Sequence, residues 1–206
     1  MQITVCDHPL IKTKLTHLRN EKTGTTNFRR IINEIGALMT YEVLKDLPVR
    51  SVKVRTPLEE CEGFEEDKTV VVVPILRAGL GFMEGVLMVV PQAHVGHIGM
   101  SRNEETLQPE EYYYKMPKDK DAYYVITDPM LATGGSAVAA IDNLKKRGIT
   151  NIRFMCLVAV PEGIEVVNKA HPDVKLYTCA IDRCLNDKGY ILPGLGDAGD
   201  RIFGTV

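Results

Sequence analysis

The chain has no tryptophan, no Cys-x-x-Cys pair and no Asn-x-Ser/Thr glycosylation site. Its longest apolar run, near Val70–Leu76, is about seven residues, far short of the roughly 20 that a membrane-spanning helix needs. Neither His-Glu-x-x-His nor a Walker A loop occurs, and His94 and His97 sit too awkwardly on one strand to share a metal. A net charge of −2 gives no general pull toward nucleic acid or an anionic membrane, so any phosphate site must be local. The cysteines (Cys6, Cys61, Cys156, Cys179, Cys184) are odd in number and scattered, and Cys156 and Cys179 lie inside apolar runs. Reduced thiols are the simplest reading. Met1–Pro9 carries Asp7 and does not look like a secretory h-region, so a cytoplasmic location is expected.

What the chain does have is alternation. Its 206 residues suit one α/β domain. Leu10–Glu21 reads as a short helix and Lys22–Thr26 as a loop. Phe28, Ile31, Ile32, Ile35, Leu38 and Met39 follow helical spacing, with Thr26 or Asn27 as the N-cap. An acidic connector is expected over Glu59–Asp67. Thr69–Leu76, Ala93–Met100, Tyr123–Thr127, Ile152–Val160 and Val174–Ile181 read as strands. Gly79–Val89, Val138–Lys146 (closed by Gly148) and Glu162–Ala170 read as helices between them. This order implies a parallel sheet flanked by helices, with ligands beyond the strands' C-terminal ends. Ser101–Lys120, which includes Tyr112, Tyr113 and Tyr114, and the Gly-rich tail Asn186–Val206 fall outside the pattern.

The segment Val125–Ala137, VITDPMLATGGSA, carries the most chemistry. An apolar strand ends in Asp128; Thr133, Gly134, Gly135 and Ser136 then lead into an Ala-rich helix. Glycines let backbone approach a ligand, and helix N-terminal N–H groups favour an anion. A carboxylate accepts hydrogen bonds, so Asp128 suits a sugar diol better than a phosphate. Together they make a site for a ribose 5-phosphate. The stretch DPMLATGGS resembles the 5-phosphoribosyl 1-diphosphate (PRPP) loop of the type I phosphoribosyltransferases, and in particular of the uracil phosphoribosyltransferase family. Most type I families carry two adjacent acids here, whereas this chain has Thr127 then Asp128, as in the uracil branch.

Three other segments extend the resemblance. Pro74–Gly81 places Arg77 at a strand end beside glycines, a setting suited to diphosphate. It resembles the family's pyrophosphate loop. Ser101–Lys120 opens SRNEET and resembles the family's lid, which implies that Arg102 reaches the diphosphate. Tyr190–Arg201, YILPGLGDAGDR, satisfies Gly-x-Gly-x-x-Gly, but too few residues follow for a dinucleotide-binding unit. A tight loop offering backbone groups to a flat base is the better reading, with Ile191, Gly196 and Ala198 matching uracil's O2, N3 and O4. The segment resembles the family's uracil-binding hood, which places an Asp, here Asp197, near PRPP.

The resemblance therefore implies a type I phosphoribosyltransferase fold with an N-terminal helical region (1–47), a lid (101–120) and a C-terminal hood (182–206). It implies uracil and PRPP as substrates, UMP and diphosphate as products, and a role in pyrimidine salvage. Asp128, Arg77, Arg102 and Asp197 are the expected catalytic set. Arg77, Arg102, Asp197 and the run Asp128, Pro129, Met130, Leu131, Ala132, Thr133, Gly134, Gly135 and Ser136 are expected to bind PRPP. Ile191, Gly196, Asp197 and Ala198 are expected to bind uracil. Mg²⁺ is the expected cofactor, held mainly by PRPP oxygens and water. A homodimer or homotetramer and a GTP effector belong to the same expectation. The rival readings are a pyrimidine-responsive RNA-binding regulator with this fold, another base specificity such as a purine, and a non-catalytic homologue that only binds nucleotides.

Overall fold

The computed structural model describes residues 1–102 and 109–205, with the side chains of 101, 102 and 109 left aside. The N-terminal region opens on a strand, β1 (Ile3–Val5), where only helices were expected. Helix α1 (Pro9–Arg19) buries Ile11, Leu15 and Leu18. Helix α2 (Thr25–Val43) buries the expected stripe of Phe28, Ile31, Ile32, Ile35 and Met39. Its cap is Gly24, not Thr26 or Asn27, because the helix begins one residue before the former. The acidic segment over Glu59–Asp67 is not a connector. Strand β2 (Val49–Arg55) pairs antiparallel with β3 (Glu60–Glu66), each acidic position facing a residue of a basic strand. Arg50 pairs with Glu65 across the ribbon, and Ser51 donates to Glu62 at 2.6 Å. Cross-strand pairs of this kind offset the poor strand propensity of glutamate.

Strand β4 (Val70–Leu76) leads into α3 (Leu80–Val89), then β5 (His94–Val95) and β6 (His97–Arg102). The single strand expected over Ala93–Met100 is broken at Gly96, where a Cβ would lie 2.1 Å from Met116 Sδ. Next come β7 (Pro109–Lys115), β8 (Tyr123–Thr127), β9 (Met130–Leu131), α4 (Gly135–Lys146), β10 (Ile152–Ala159), α5 (Pro161–Ala170) and β11 (Lys175–Ile181). The short strands β12 (Cys184–Leu185) and β13 (Ile191–Leu192) form a separate hairpin, and α6 (Ala198–Phe203) is a helix that the Gly-rich tail did not announce.

The main sheet runs β1-β11-β10-β8-β4-β6-β7, parallel throughout except for the β6–β7 ribbon at its edge. Alternation along β4 explains why its sequence is apolar without a break. Val70 and Val72 pack with Phe28, Ile32, Phe82 and Ile202 on one face. Val71, Val73 and Ile75 pack with Ile141, Leu144 and Val167 on the other. Each such side chain contributes about 1.5–3 kcal/mol on burial, so a polar residue at any of these positions would be strongly destabilising. The β6–β7 ribbon is footed on this second layer: Arg147 lies 3.8 Å over the Tyr114 ring and donates to Glu111 at 2.9 Å. The C-terminal ends of β4, β8 and β11 thus lie on one rim, followed directly by Arg77, Asp128 and Asp182.

Candidate active site

The loop after β8 is strapped to β10 by its own backbone. Asp128 N donates to Met155 O at 3.1 Å, Leu157 N donates to Pro129 O at 2.9 Å, and Val160 N donates to Leu131 O at 3.2 Å. Met130 and Leu131 are held in register as β9, opposite Val158 and Ala159. Their part is to fix the loop's course, and Leu131 is buried. The chain then turns through Gly134, whose φ of +82° only glycine adopts without strain, and enters α4 at Gly135. Helix α5 presses on the same loop: a Cβ on Gly163 would meet Ala132 O at 2.2 Å.

This construction leaves Thr133 and Ser136 exposed at the start of α4. Around them is a cavity of about 80 Å³ lined by Asp128, Met130, Leu131, Ala132, Thr133, Gly134, Ser136 and Ala137. It has the scale of a single phosphate, and the N-terminus of a 12-residue helix opens into it. Burial pushes the Asp128 carboxyl up to about 7, against a backbone N–H from Met130 that pulls it down. The nearby Cys156 thiol is pushed up to about 12, also by burial, and is no nucleophile.

Arg77 stands just past β4, beside this loop. Thr127 Oγ1 donates to Gly79 O at 3.1 Å, and a Cβ on Gly79 would lie 2.2 Å from Thr127 O. The two strand-end loops are therefore in direct contact. The Leu76–Arg77 peptide is cis. The exposed Arg77 side chain extends to α6, with Nη2 3.5 Å from Asp200 Oδ1, Nη1 3.4 Å from Thr205 Oγ1 and the Phe203 ring 5.7 Å away. Arg102 ends β6, and its side chain lies outside the described residues, as do positions 103–108 of the expected lid.

The tail from Asp182 onward forms the third wall. Asp197 caps α6, accepting from Asp200 N at 2.9 Å, and is otherwise exposed with Gly196. Ala198 and Ile191 are buried. Gly194 lies against the Ile191 carbonyl: a Cβ there would meet that oxygen at 2.2 Å. The turn at Gly189 reaches the phosphate loop, a Cβ at that position falling 3.8 Å from Thr133 Cγ2. Glu162 of α5 accepts from Leu185 N at 3.1 Å. Contacts of Gly79 with Thr127, of Gly189 with Thr133 and of Arg77 with α6 thereby set these three segments beside one another.

Sequence reasoning missed the residues that hold this wall in place. Asp182 receives Arg19 through two contacts and also the Gly194 N–H. Arg201 donates to Leu18 O and Leu195 O, each at 2.6 Å, and to Asn20 O at 2.8 Å, while lying 4.3 Å over the Phe28 ring. One signal was available. Asp182 is an acid directly after an apolar strand, the same placement that singled out Asp128.

The comparisons with known proteins agree with one another. Residues 5–205 match the family model described as Uracil phosphoribosyltransferase. A protein of that name from Macrococcus caseolyticus is 57% identical over 206 residues, covering 99% of both chains. One from Enterococcus faecalis is 54% identical, covering 98% of this chain and 97% of its own. Among solved structures, the AQ2163 protein of Aquifex aeolicus is similar at a TM-score of 0.93 and 41% identity, over 98% of each chain. A hypoxanthine-guanine phosphoribosyltransferase from Bacillus anthracis, at a TM-score of 0.53 and 13% identity over 77% of this chain and 79% of its own, shares the fold alone.

Proposed function

The chain belongs to the uracil phosphoribosyltransferase family, and from that premise we propose that this cleft transfers the phosphoribosyl group of PRPP to N1 of uracil, giving UMP and diphosphate in pyrimidine salvage. The observation that carries the reading is the adjacency of three segments: a phosphate-sized loop, a strand-end arginine and a C-terminal loop that leaves Gly196 and Asp197 exposed.

Each wall has a separate task. Ala132–Ser136 and the α4 N-terminus anchor the 5-phosphate. Asp128, lining the same cavity, accepts from the ribose 2- and 3-hydroxyls. The C1–O bond to diphosphate breaks as the C1–N1 bond forms, and the N1 proton passes to water. Charge building on the departing diphosphate meets Arg77 and Arg102, and the ionised Asp128 stands near the positive sugar ring. Ile191, Gly196 and Ala198 present the base, so much of the acceleration is positioning.

Mg²⁺ fits this donor set. A bound Mg²⁺ would be held mainly by PRPP oxygens and water, with the exposed Asp197 beside the metal-bound PRPP. When bound, it neutralises diphosphate charge. Two observations support the wider setting. The five cysteines are free thiols, consistent with a reducing, cytoplasmic location. Tyr41 and Met88 stand 77% and 69% exposed on α2 and α3, an apolar face suited to a homo-oligomer. A GTP effector rests on the family likeness alone.

The test is diphosphate release from PRPP and Mg²⁺ with uracil, cytosine, hypoxanthine or orotate, with and without GTP. Turnover with uracil alone, lost in Asp128→Asn, is the expected result. Equal turnover with another base, or none with any, rejects the proposal.

A further inference from the structure

We infer that Arg19 and Asp182 are a positioning pair for the base-reading loop, setting affinity for the base while leaving PRPP binding alone. The inference rests on the reading of Ile191–Ala198 as the uracil seat.

Asp182 follows β11 on the rim of the sheet and is 7% exposed. Its two oxygens are fully used. Oδ1 accepts from Arg19 Nη2 at 2.6 Å; Oδ2 accepts from Arg19 Nη1 at 2.8 Å and from Gly194 N at 2.9 Å. Arg19 Nη1 also donates to Gly194 O at 2.8 Å. The pair therefore holds both the N–H and the C=O of one loop residue. Among the described residues, its side-chain hydrogen bonds run only between its two members and to Gly194.

Stability alone does not account for such an arrangement. A buried ion pair contributes little net stability over a well-packed apolar pair, because desolvation offsets the Coulombic gain. What charged, bidentate geometry supplies is direction. Here the direction matters because of what Gly194 touches. With φ at +62° and no side chain, it sits so close to the Ile191 carbonyl that a Cβ would be 2.2 Å from the oxygen. A shift of Gly194 must move or expose that carbonyl. Downstream, Leu195 O is held by Arg201 at 2.6 Å, so the loop cannot swing away as a unit. Displacement is confined to Ile191–Gly194, which includes the Ile191 peptide that would read the base.

Arg19 itself is fixed from below. It ends α1, whose Leu15 and Leu18 are buried in the core, and it is only 24% exposed at its side chain. The pair touches neither Asp128 nor the Thr133–Ser136 turn. Its effect on the reaction passes through Gly194.

The experiment uses the full chain with Asp182→Asn and Arg19→Lys. Asp182→Asn keeps an acceptor but loses the charge; Arg19→Lys keeps the charge but cannot make the fork. Uracil KM, kcat, PRPP affinity by calorimetry and melting temperature are measured for each. The expected result is a rise of about tenfold in uracil KM, the scale of a lost charged hydrogen bond. PRPP affinity and kcat should stay within about twofold, and the preference for uracil over cytosine should shrink. If Asp182→Asn fails to fold, Arg19→Lys decides. An unchanged uracil KM in a folded variant, or a parallel loss of PRPP affinity, overturns the inference. Failure of the unsubstituted protein to use uracil removes the premise instead, and is seen before any variant is made.

Discussion

The two halves of the cleft are built on opposite principles. The phosphate half, Asp128–Ser136, is one continuous segment whose shape comes from backbone bonds to the adjacent strand β10 and from helix α5 packed behind it. The base half, Asp182–Thr205, has little core of its own and is held by side-chain bonds to the other end of the chain, Arg19 reaching in and Arg201 reaching out. Phosphate recognition needs convergent N–H dipoles, which a strand, a turn and a helix supply locally. Base recognition needs a few peptide groups at set angles, and a short irregular loop must borrow its rigidity. Lesions in the first half should therefore damage PRPP handling, and lesions in the tethers should damage uracil handling.

The largest expected effect falls on Asp128. Asp128→Asn should lower kcat by a factor on the order of 10², the scale of losing one group aimed at developing charge. The same change should stabilise the fold. Its native carboxyl sits at about 7 against 3.8 in the unfolded chain, so between those values the native state holds a proton that the unfolded chain has released. Stability therefore falls as pH rises through that window. Asp128→Asn should melt higher at pH 8, by at most about 4 kcal/mol of stability, and converge on the unsubstituted protein near pH 4. A melting difference independent of pH would contradict this assignment. The unsubstituted protein should also bind PRPP less well as pH drops below 7, more steeply than the variant does.

Gly163→Ala tests the phosphate half from behind. A methyl group 2.2 Å from Ala132 O must push the loop, so PRPP KM should rise by roughly tenfold, with about 1–3 kcal/mol lost from stability. Uracil KM should move much less; a larger change there would break the division between the halves. Arg201→Met tests the other side. It keeps the stacked length over Phe28 and deletes four donor contacts to Leu18, Leu195, Asn20 and Thr23. Uracil KM should rise by about five- to tenfold with PRPP affinity unmoved in calorimetry. The smallest effect belongs to Glu162→Ala. That carboxylate on α5 links the two halves by accepting from Leu185 N, and it is exposed. Both KM values should change together, by about two- to threefold.

The same division decides what could be read from the sequence. Strand β8, the phosphate loop and α4 are adjacent in the chain, so a pattern of apolar run, acid, glycines and helix reveals them without any knowledge of the fold. The parallel sheet was equally legible, because burial on both faces leaves β4 apolar throughout and β10 apolar but for Arg153, which pairs with Asp46. The ribbon β2–β3 was not, since its strands are stabilised by pairing with each other and carry no apolar alternation to announce them. Helix α6 was hidden by its glycines; its start is set by the Asp197 cap and its seat by Ile202 in the core. Arg19 and Asp182, 163 positions apart, give no local sign of being partners.

The placement of those tethers also bears on the order in which the molecule assembles. Among the described residues strand β1 pairs with β11 alone, and the α1 terminus is tethered to Asp182, Gly194 and Arg201 near the other end of the chain. A growing chain can form β4, β8 and the phosphate turn well before those residues exist. Helix α1 can pack on α2 at once, but the first strand must wait for β11 and the α1 terminus for its tethers to the final segments. Such distant pairings are slow to close and expose sticky surface meanwhile. In refolding, the phosphate half should acquire protection from amide exchange ahead of the base half, and base selectivity should be the last property to return.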